Sequence, residues 1–140
     1  MSLRLSLNNE DFASKPIIPS QQLQKGFEIK YKGDPDELYT LFMYNPDASY
    51  PEDLGNSYFL HYLVVNIHSD NITTGDILAP YQAPDPPQDS NPHEYIVGLY
   101  RQPKLIPQEK ITKRTAFSVS SFITKYGLDL SGYFLVVSPK

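Results

Sequence analysis

The chain lacks cysteine and tryptophan, and it has no long apolar run and no excess of basic residues. The absence of cysteine excludes a disulfide framework, thiol catalysis and thiolate metal sites. No stretch approaches the roughly 20 apolar residues of a membrane-spanning helix, and Met1–Asn9 lacks the continuous apolar core of a signal peptide. A net charge of −4 argues against nucleic-acid binding through phosphate neutralisation. We therefore expect a soluble, cytoplasmic protein without a transmembrane segment or a nucleic-acid partner.

The chain is rich in tyrosine and proline, with 11 and 13 residues among 140. Its length favours one domain spanning residues 1–140. Short apolar or alternating runs bounded by turn-forming residues are typical of strands. They predict strands at Gly26–Lys32, Leu38–Tyr44, Phe59–Ile67, Tyr95–Tyr100 and Tyr133–Val137, with an edge strand and an extended arm within Met1–Pro19. The fold class is therefore mainly β, and the sheet mainly antiparallel.

Helical periodicity occurs near the C-terminal end of the chain. Val119, Phe122, Ile123 and Tyr126 have the i, i+3, i+4, i+7 spacing of one helix face, while Ser118 and Gly127 suit the two ends. Asp70–Gln88 is a long connection, and connections of this length are usually functional or contain structure of their own.

Two histidines lie near the starts of apolar strands, and an acidic turn ends the strand before them. His61 lies near the start of the run LHYLVVNI, on the predicted face of Leu63, Val65 and Ile67, and His93 lies near the start of PHEYIVGLY. In an antiparallel pair, the end of one strand and the start of the next share a rim, so Asp47 could approach His61. A nearby carboxylate would raise the pKa of His61 and fix its tautomer. Taken singly, His61 and Tyr95 also suit a buried core, and Asp47 a turn.

These segments resemble the phosphatidylethanolamine-binding proteins, also called Raf kinase inhibitor proteins. YTLFMYNPDA at 39–48 resembles the family's YTLxxxDPDAP, and FLHYLVVNI at 59–67 its WHHFLVVNM. Gly75–Tyr81 resembles GxxLxxY, PP at 86–87 followed by HEY at 93–95 resembles GPP…HRY, and LYRQ at 99–102 resembles LVYEQ. Phe117–Leu128 is similar to the family helix. The resemblance runs in order from Leu38 to Leu128.

The resemblance implies a large antiparallel sheet flanked by a smaller sheet, with one short helix. It also implies a non-enzymatic binding protein, without a cofactor or metal, whose pocket at the sheet rim takes a small anion or a phospholipid head group. The surface around the pocket could modulate a signalling partner. The residues that match the family's pocket are Asn45, Asp47, Phe59, His61, Ala83, Pro87, His93 and Tyr95.

Several positions depart from the family pattern around that pocket. Asn45 replaces the first acid of the DPD motif, Asp85 replaces the glycine before Pro-Pro, and Glu94 replaces a basic residue. Carboxylates at the mouth would repel an anion. The chain ends at Lys140, where many relatives continue into a helix beside the pocket, so we expect a more open pocket.

Other functions stay open at this point. His61 and His93 could act as acid and base in a hydrolase or lyase, although no Gly-x-Ser-x-Gly elbow is present. With Asp47 they also have the ligand types of a zinc site. A structural or interaction protein with a vestigial pocket is a further alternative. We interpret Lys110–Arg114 as a solvated loop rather than a binding patch, and His68 as a surface residue.

Overall fold

The computed structural model describes residues 4–7, 10–12, 18, 23–24, 28–45, 57–83, 93–114 and 117–138. Within the strands, the side chains of residues 4–7, 10–12, 57, 58, 93, 134, 137 and 138 lie outside that description. The elements are β1 Arg4–Leu7, β2 Glu10–Phe12, β3 Glu28–Lys30, β4 Leu38–Asn45, β5 Ser57–His68, β6 Asp76–Ala79, β7 His93–Gln102, β8 Phe117–Ser118, α1 Val119–Tyr126 and β9 Asp129–Ser138, with a 3₁₀ turn at Ile72–Thr74. No helix in these ranges is long and apolar enough to cross a membrane.

The strands form a large and a small antiparallel sheet, as predicted. The large sheet has the order β6-β5-β4-β7-β9, with β8 pairing onto β5, and the small sheet has the order β2-β1-β3. The long apolar strand β5 lies inside the large sheet between β4 and β6. A strand that is covered on both faces needs apolar residues at successive positions, which is why its sequence does not alternate.

Apolar clusters cover both faces of the large sheet. Alternate residues of β4 point to opposite faces, and Tyr39, Leu41 and Met43 pack in one cluster with Ile29 of the small sheet. Phe42 and the neighbouring Tyr44 pack in the other cluster, which α1 covers. Tyr95, Val97 and Leu99 of β7 also share the first face. Side chains therefore alternate between the two faces along β4 and β7.

The predicted face of His61 is partly wrong, because β5 contains two register irregularities. Tyr44 pairs with Leu60 while Met43 pairs with Tyr62, so His61 is an extra residue in β5. A second irregularity lies near Asn66, whose φ is 59°. As a result Leu63 and Val65 pack in the cluster under α1, whereas Ile67 packs in the opposite cluster. His61 contacts Tyr95 on the Ile67 face, since each bulge interrupts the alternation.

Strand lengths differ from the prediction mainly at the sheet edges. Of the strand predicted at Gly26–Lys32, Glu28–Lys30 is β3 and the last two residues lie beyond it, while residues 26 and 27 are outside the described part of the chain. The predicted N-terminal edge strand is the pair β1–β2. β9 begins at Asp129 rather than Tyr133, and the connection after Asp70 contains β6. Edge strands need only one paired neighbour and tolerate polar residues, so their sequences carry a weaker alternation signal.

Helix α1 begins and ends where its capping residues predict. The Ser118 side chain accepts a hydrogen bond from the Ser121 N–H, and Gly127 adopts the left-handed conformation with φ 63°. A side chain strains this conformation, so Gly127→Ala should lower the free energy of unfolding by about 1 kcal/mol. Urea denaturation followed by circular dichroism measures the change. Ser120→Ala, on the exposed side of α1, should stay within about 0.5 kcal/mol of the parent, and equal losses in both variants would contradict the prediction.

Candidate functional site

The imidazole of His61 lies buried at the rim where β4 ends and β5 begins. His61 is 5% exposed. Its ring centroid lies 4.7 Å from that of Phe59 and 5.1 Å from that of Tyr95, the latter edge to face. Its Nδ1 atom lies 2.7 Å from the carbonyl oxygen of Gln82. A neighbour in its own strand and two other segments of the chain therefore fix the orientation of this ring.

The contact with Gln82 determines the tautomer of His61. A carbonyl oxygen can only accept, so Nδ1 carries the proton and the neutral ring has a lone pair on Nε2. Nε2 has no hydrogen-bond partner among the described residues. A buried polar atom without a protein partner requires an explanation. The ring thus offers one acceptor atom at the rim.

Burial lowers the pKa of His61 to about 4, the hydrogen bond to Gln82 acts in the opposite direction, and the charge of Arg114 lowers it further. The imidazole is therefore neutral near pH 7. This shift is opposite in sign to the one expected from a neighbouring carboxylate. The tautomer is fixed by the backbone carbonyl of Gln82. Asp47, to which this role was assigned from the sequence, lies outside the described residues.

Arg114 holds the backbone around His61. Its guanidinium donates to the carbonyl oxygens of Leu60 and His61, both at 3.1 Å, and of Pro80 at 2.6 Å. The Leu60 N–H in turn donates to the Arg114 carbonyl at 2.9 Å. The interpretation of Lys110–Arg114 as a solvated loop is therefore wrong for Arg114. Its side chain joins the bulged part of β5 to the segment that carries Gln82.

The predicted rim residues lie at the same end of the sheet wherever they are described. Asn45 is paired directly with Phe59, and Tyr44 pairs with Ile96, next to Tyr95. Ala83, partly buried, follows Gln82 in the chain. His93 is the first residue of β7, two positions before Tyr95, and its side chain is outside the described part. Asp47, Asp85 and Pro87 also lie outside it.

Glu94 lies on the face of the sheet opposite to His61. The register of β7 against β9 is regular from His93 to Leu99, so Glu94 shares a face with Ile96, which packs in the cluster under α1. Tyr95 lies on the other face, against His61. The expected repulsion of an anion by Glu94 is therefore weaker than it would be on the His61 face.

Gln82 and Arg114 are site residues that the sequence interpretation missed. Gln82 contributes two backbone groups: its carbonyl oxygen faces Nδ1 of His61, and its N–H donates to the His61 carbonyl at 2.8 Å. No side-chain pattern can reveal backbone contacts, and Arg114 was grouped with exposed basic residues. Tyr81 belongs to a quoted motif but was not placed in the site. Its hydroxyl donates to the Leu23 carbonyl at 2.7 Å, and its ring packs edge to face on Tyr62. The described side chains include no group of three His, Cys, Asp or Glu that could hold a metal.

His68 ends β5 and is exposed, as expected of a surface residue.

Comparisons with known proteins agree with this architecture. The carboxypeptidase Y inhibitor, solved in complex with its cognate proteinase, aligns with a TM-score of 0.79 at 23% identity over 99% of this chain and 82% of the inhibitor. The phosphatidylethanolamine-binding protein from Plasmodium vivax aligns with a TM-score of 0.72 at 16% identity over 99% of this chain and 84% of that protein. At such identities the likeness shows the fold alone.

Sequence comparison supplies the family. A 26 kDa secreted antigen of Toxocara canis is 29% identical over 128 residues, which cover 86% of this chain and 49% of the antigen. The chain thus spans about half the length of this curated relative. The model of the family described as phosphatidylethanolamine-binding protein matches residues 8–133. The chain belongs to the phosphatidylethanolamine-binding protein family.

Proposed function

We propose that the chain is a non-enzymatic binding protein, a single domain over residues 1–140, that takes a small anion or a phospholipid head group at the rim around His61. The observation that carries the proposal is the buried Nε2 atom of His61, which lacks a protein partner among the described residues. Phe59 and Tyr95 form an aromatic wall beside it. Asn45, Asp47, Ala83, Pro87 and His93 complete the proposed site.

The protonation state of His61 restricts which ligand groups can form a hydrogen bond with it. With its pKa lowered to about 4, the imidazole is neutral at pH 7, and Nε2 accepts a hydrogen bond rather than donating one. The ligand must then present an N–H or O–H group at this atom. A phosphoethanolamine head group has both an ammonium group and a phosphate that can be protonated. A fully deprotonated anion such as sulfate has no donor and requires protonation of His61 instead.

The site supports binding better than catalysis. A general acid or base works best with a pKa near the operating pH, whereas the pKa of His61 is lowered to about 4 by burial. A non-enzymatic role, with the surrounding surface modulating a signalling partner, is therefore the stronger proposal. The carboxypeptidase Y inhibitor, similar in fold, is a precedent for a protein partner. We propose that the protein lies in the cytoplasm. The Toxocara canis relative is a secreted antigen, so secretion is the alternative, and cell fractionation distinguishes the two locations.

Titration with phosphoethanolamine should move the imidazole signals of His61 and His93 in NMR spectra, with saturation at millimolar concentration. Sulfate should bind more weakly at pH 7 and gain affinity as the pH falls toward 5. The reason is that an anion beside the ring stabilises its charged form, so sulfate binding takes up a proton. Phosphoethanolamine should show the smaller pH dependence of the two, because it brings its own donor.

His61→Gln is the variant that tests the site, and His68→Gln is its matched control. The amide of Gln at position 61 does not reproduce the lone pair of Nε2 in the same place, so affinity for phosphoethanolamine should fall about tenfold. His68 is exposed, and its replacement should leave binding unchanged. If millimolar phosphoethanolamine moves neither imidazole, or if both variants lose affinity equally, the rim is not the binding site and the vestigial-pocket alternative gains support.

A further inference from the structure

A cleft lies at the opposite end of the large sheet from His61. It has a volume of about 560 Å³ and is lined by Lys32, Gly33, Asp34, Pro35, Tyr39, Arg101, Leu130 and Ser131. Tyr39 is near the start of β4, whereas Asn45, at the His61 rim, is its last residue. At about 3.3 Å per residue, the two ends are roughly 20 Å apart. The cleft is therefore spatially separate from the proposed head-group site.

The cleft contains two cations without an ion-pair partner in the described part of the chain. Lys32 and Arg101 are both exposed and line the cleft. Arg101 also lines a smaller cavity of about 220 Å³ with Glu37 and Asp129, yet it forms no ion pair with either carboxylate. Asp34 is the one acid among the residues that line the larger cleft. Of the charged side chains that line the larger cleft, two are cationic and one is acidic.

The hydroxyl group of Tyr39 is a buried donor that lines the same cleft. Tyr39 is 1% exposed. Its oxygen accepts a hydrogen bond from the Asp34 N–H at 2.9 Å, and the hydroxyl hydrogen has no acceptor among the described residues. Buried donors are seldom left unpaired, since the loss costs about 1–3 kcal/mol. An acceptor atom supplied by a ligand would satisfy it.

We propose that this cleft is a second anion-binding site, which takes an oxyanion through the Tyr39 hydroxyl, Arg101 and Lys32. The ligand class is a carboxylate or a phosphate, because guanidinium and hydroxyl donors match the oxygens of either group. Leu130 is 56% exposed and borders the cleft beside Pro35. It provides contact area for an apolar body attached to the anion. The proposal is independent of the function assigned to the His61 rim.

The experiment is a titration of the full chain with inorganic phosphate and, separately, with acetate, at constant ionic strength adjusted with sodium chloride. The backbone amide signals of Gly33 and Ser131, which line the cleft, should shift with saturation. Arg101→Gln should weaken binding about tenfold or more, and Tyr39→Phe about threefold or more. A shift with phosphate alone identifies a phosphate site, and a shift with acetate alone a carboxylate site.

Lys104→Gln is the matched control, because it removes the same charge at an exposed position outside the cleft. It should leave affinity at Gly33 and Ser131 unchanged. His61→Gln should also leave it unchanged, which separates this cleft from the head-group rim. Amide signals that do not move with either anion overturn the proposal, as does an equal loss in Arg101→Gln and Lys104→Gln. If Tyr39→Phe does not fold, the difference in anion affinity between Arg101→Gln and Lys104→Gln is sufficient to test the proposal.

Discussion

Replacing Gln102 by leucine should lower the free energy of unfolding by about 3–5 kcal/mol, because it breaks a buried network of hydrogen bonds. The Gln102 Oε1 atom accepts from the Thr40 hydroxyl at 2.7 Å and from the Asn66 N–H at 3.0 Å. Its Nε2 donates to the Asn66 side chain and to the Lys104 carbonyl. Gln102 is 2% exposed, so water cannot replace the missing partners.

Thr40→Val is the matched control, because it removes one donor from the same network and keeps the side-chain shape. Gln102 then still accepts from the Asn66 N–H, and the loss should be about 1 kcal/mol. Urea denaturation followed by tyrosine fluorescence measures both changes. Equal stabilities of Gln102→Leu and Thr40→Val would mean that the network contributes no more than an ordinary single hydrogen bond.

The same network explains why the sequence predicted the positions of the helix and strands better than the register irregularities within β5. The periodicity and caps of α1 act within a few residues, and the predicted bounds agree with the structure. The bulge at Asn66 depends on partners far along the chain: its side chain donates to the Asp76 carboxylate and to the Ile106 carbonyl. A pattern of apolar residues contains no information about such distant hydrogen bonds.

The rim position of the candidate site was predictable, but its electrostatics were not. Antiparallel pairing alone places the end of β4 beside the start of β5, and the pair Asn45–Phe59 confirms that geometry. The pKa of His61 depends instead on its burial, on a backbone carbonyl of Gln82 and on the charge of Arg114. Those groups come from other segments, so the neighbouring sequence suggested the opposite sign.

The stability of the protein should fall as the pH decreases from about 6.5 to 4, and part of this loss should come from His61. In the folded chain, burial lowers the pKa of His61 from 6.5 to about 4. Above about pH 6.5 the ring is neutral in both states, so it contributes no penalty. Between these values the unfolded chain binds the proton more readily, and the folded state loses about 3 kcal/mol by the time pH 4 is reached.

The contribution of His61 is obtained by subtracting the stability-against-pH curve of His61→Gln from that of the parent chain. The carboxylates titrate in both proteins, so their contribution cancels in this difference. Free energies of unfolding are measured by urea denaturation at several pH values for the parent chain, for His61→Gln and for the exposed-site control His68→Gln. Relative to His61→Gln, the parent should lose about 3 kcal/mol between pH 7 and pH 4, whereas the His68→Gln curve should run parallel to the parent curve. Because an anion at Nε2 favours the charged ring and so raises the folded-state pKa toward 6.5, saturating sulfate should make the loss smaller. A parent curve parallel to that of His61→Gln would show that the ring is not held neutral, and the acceptor role proposed for Nε2 would then have no basis.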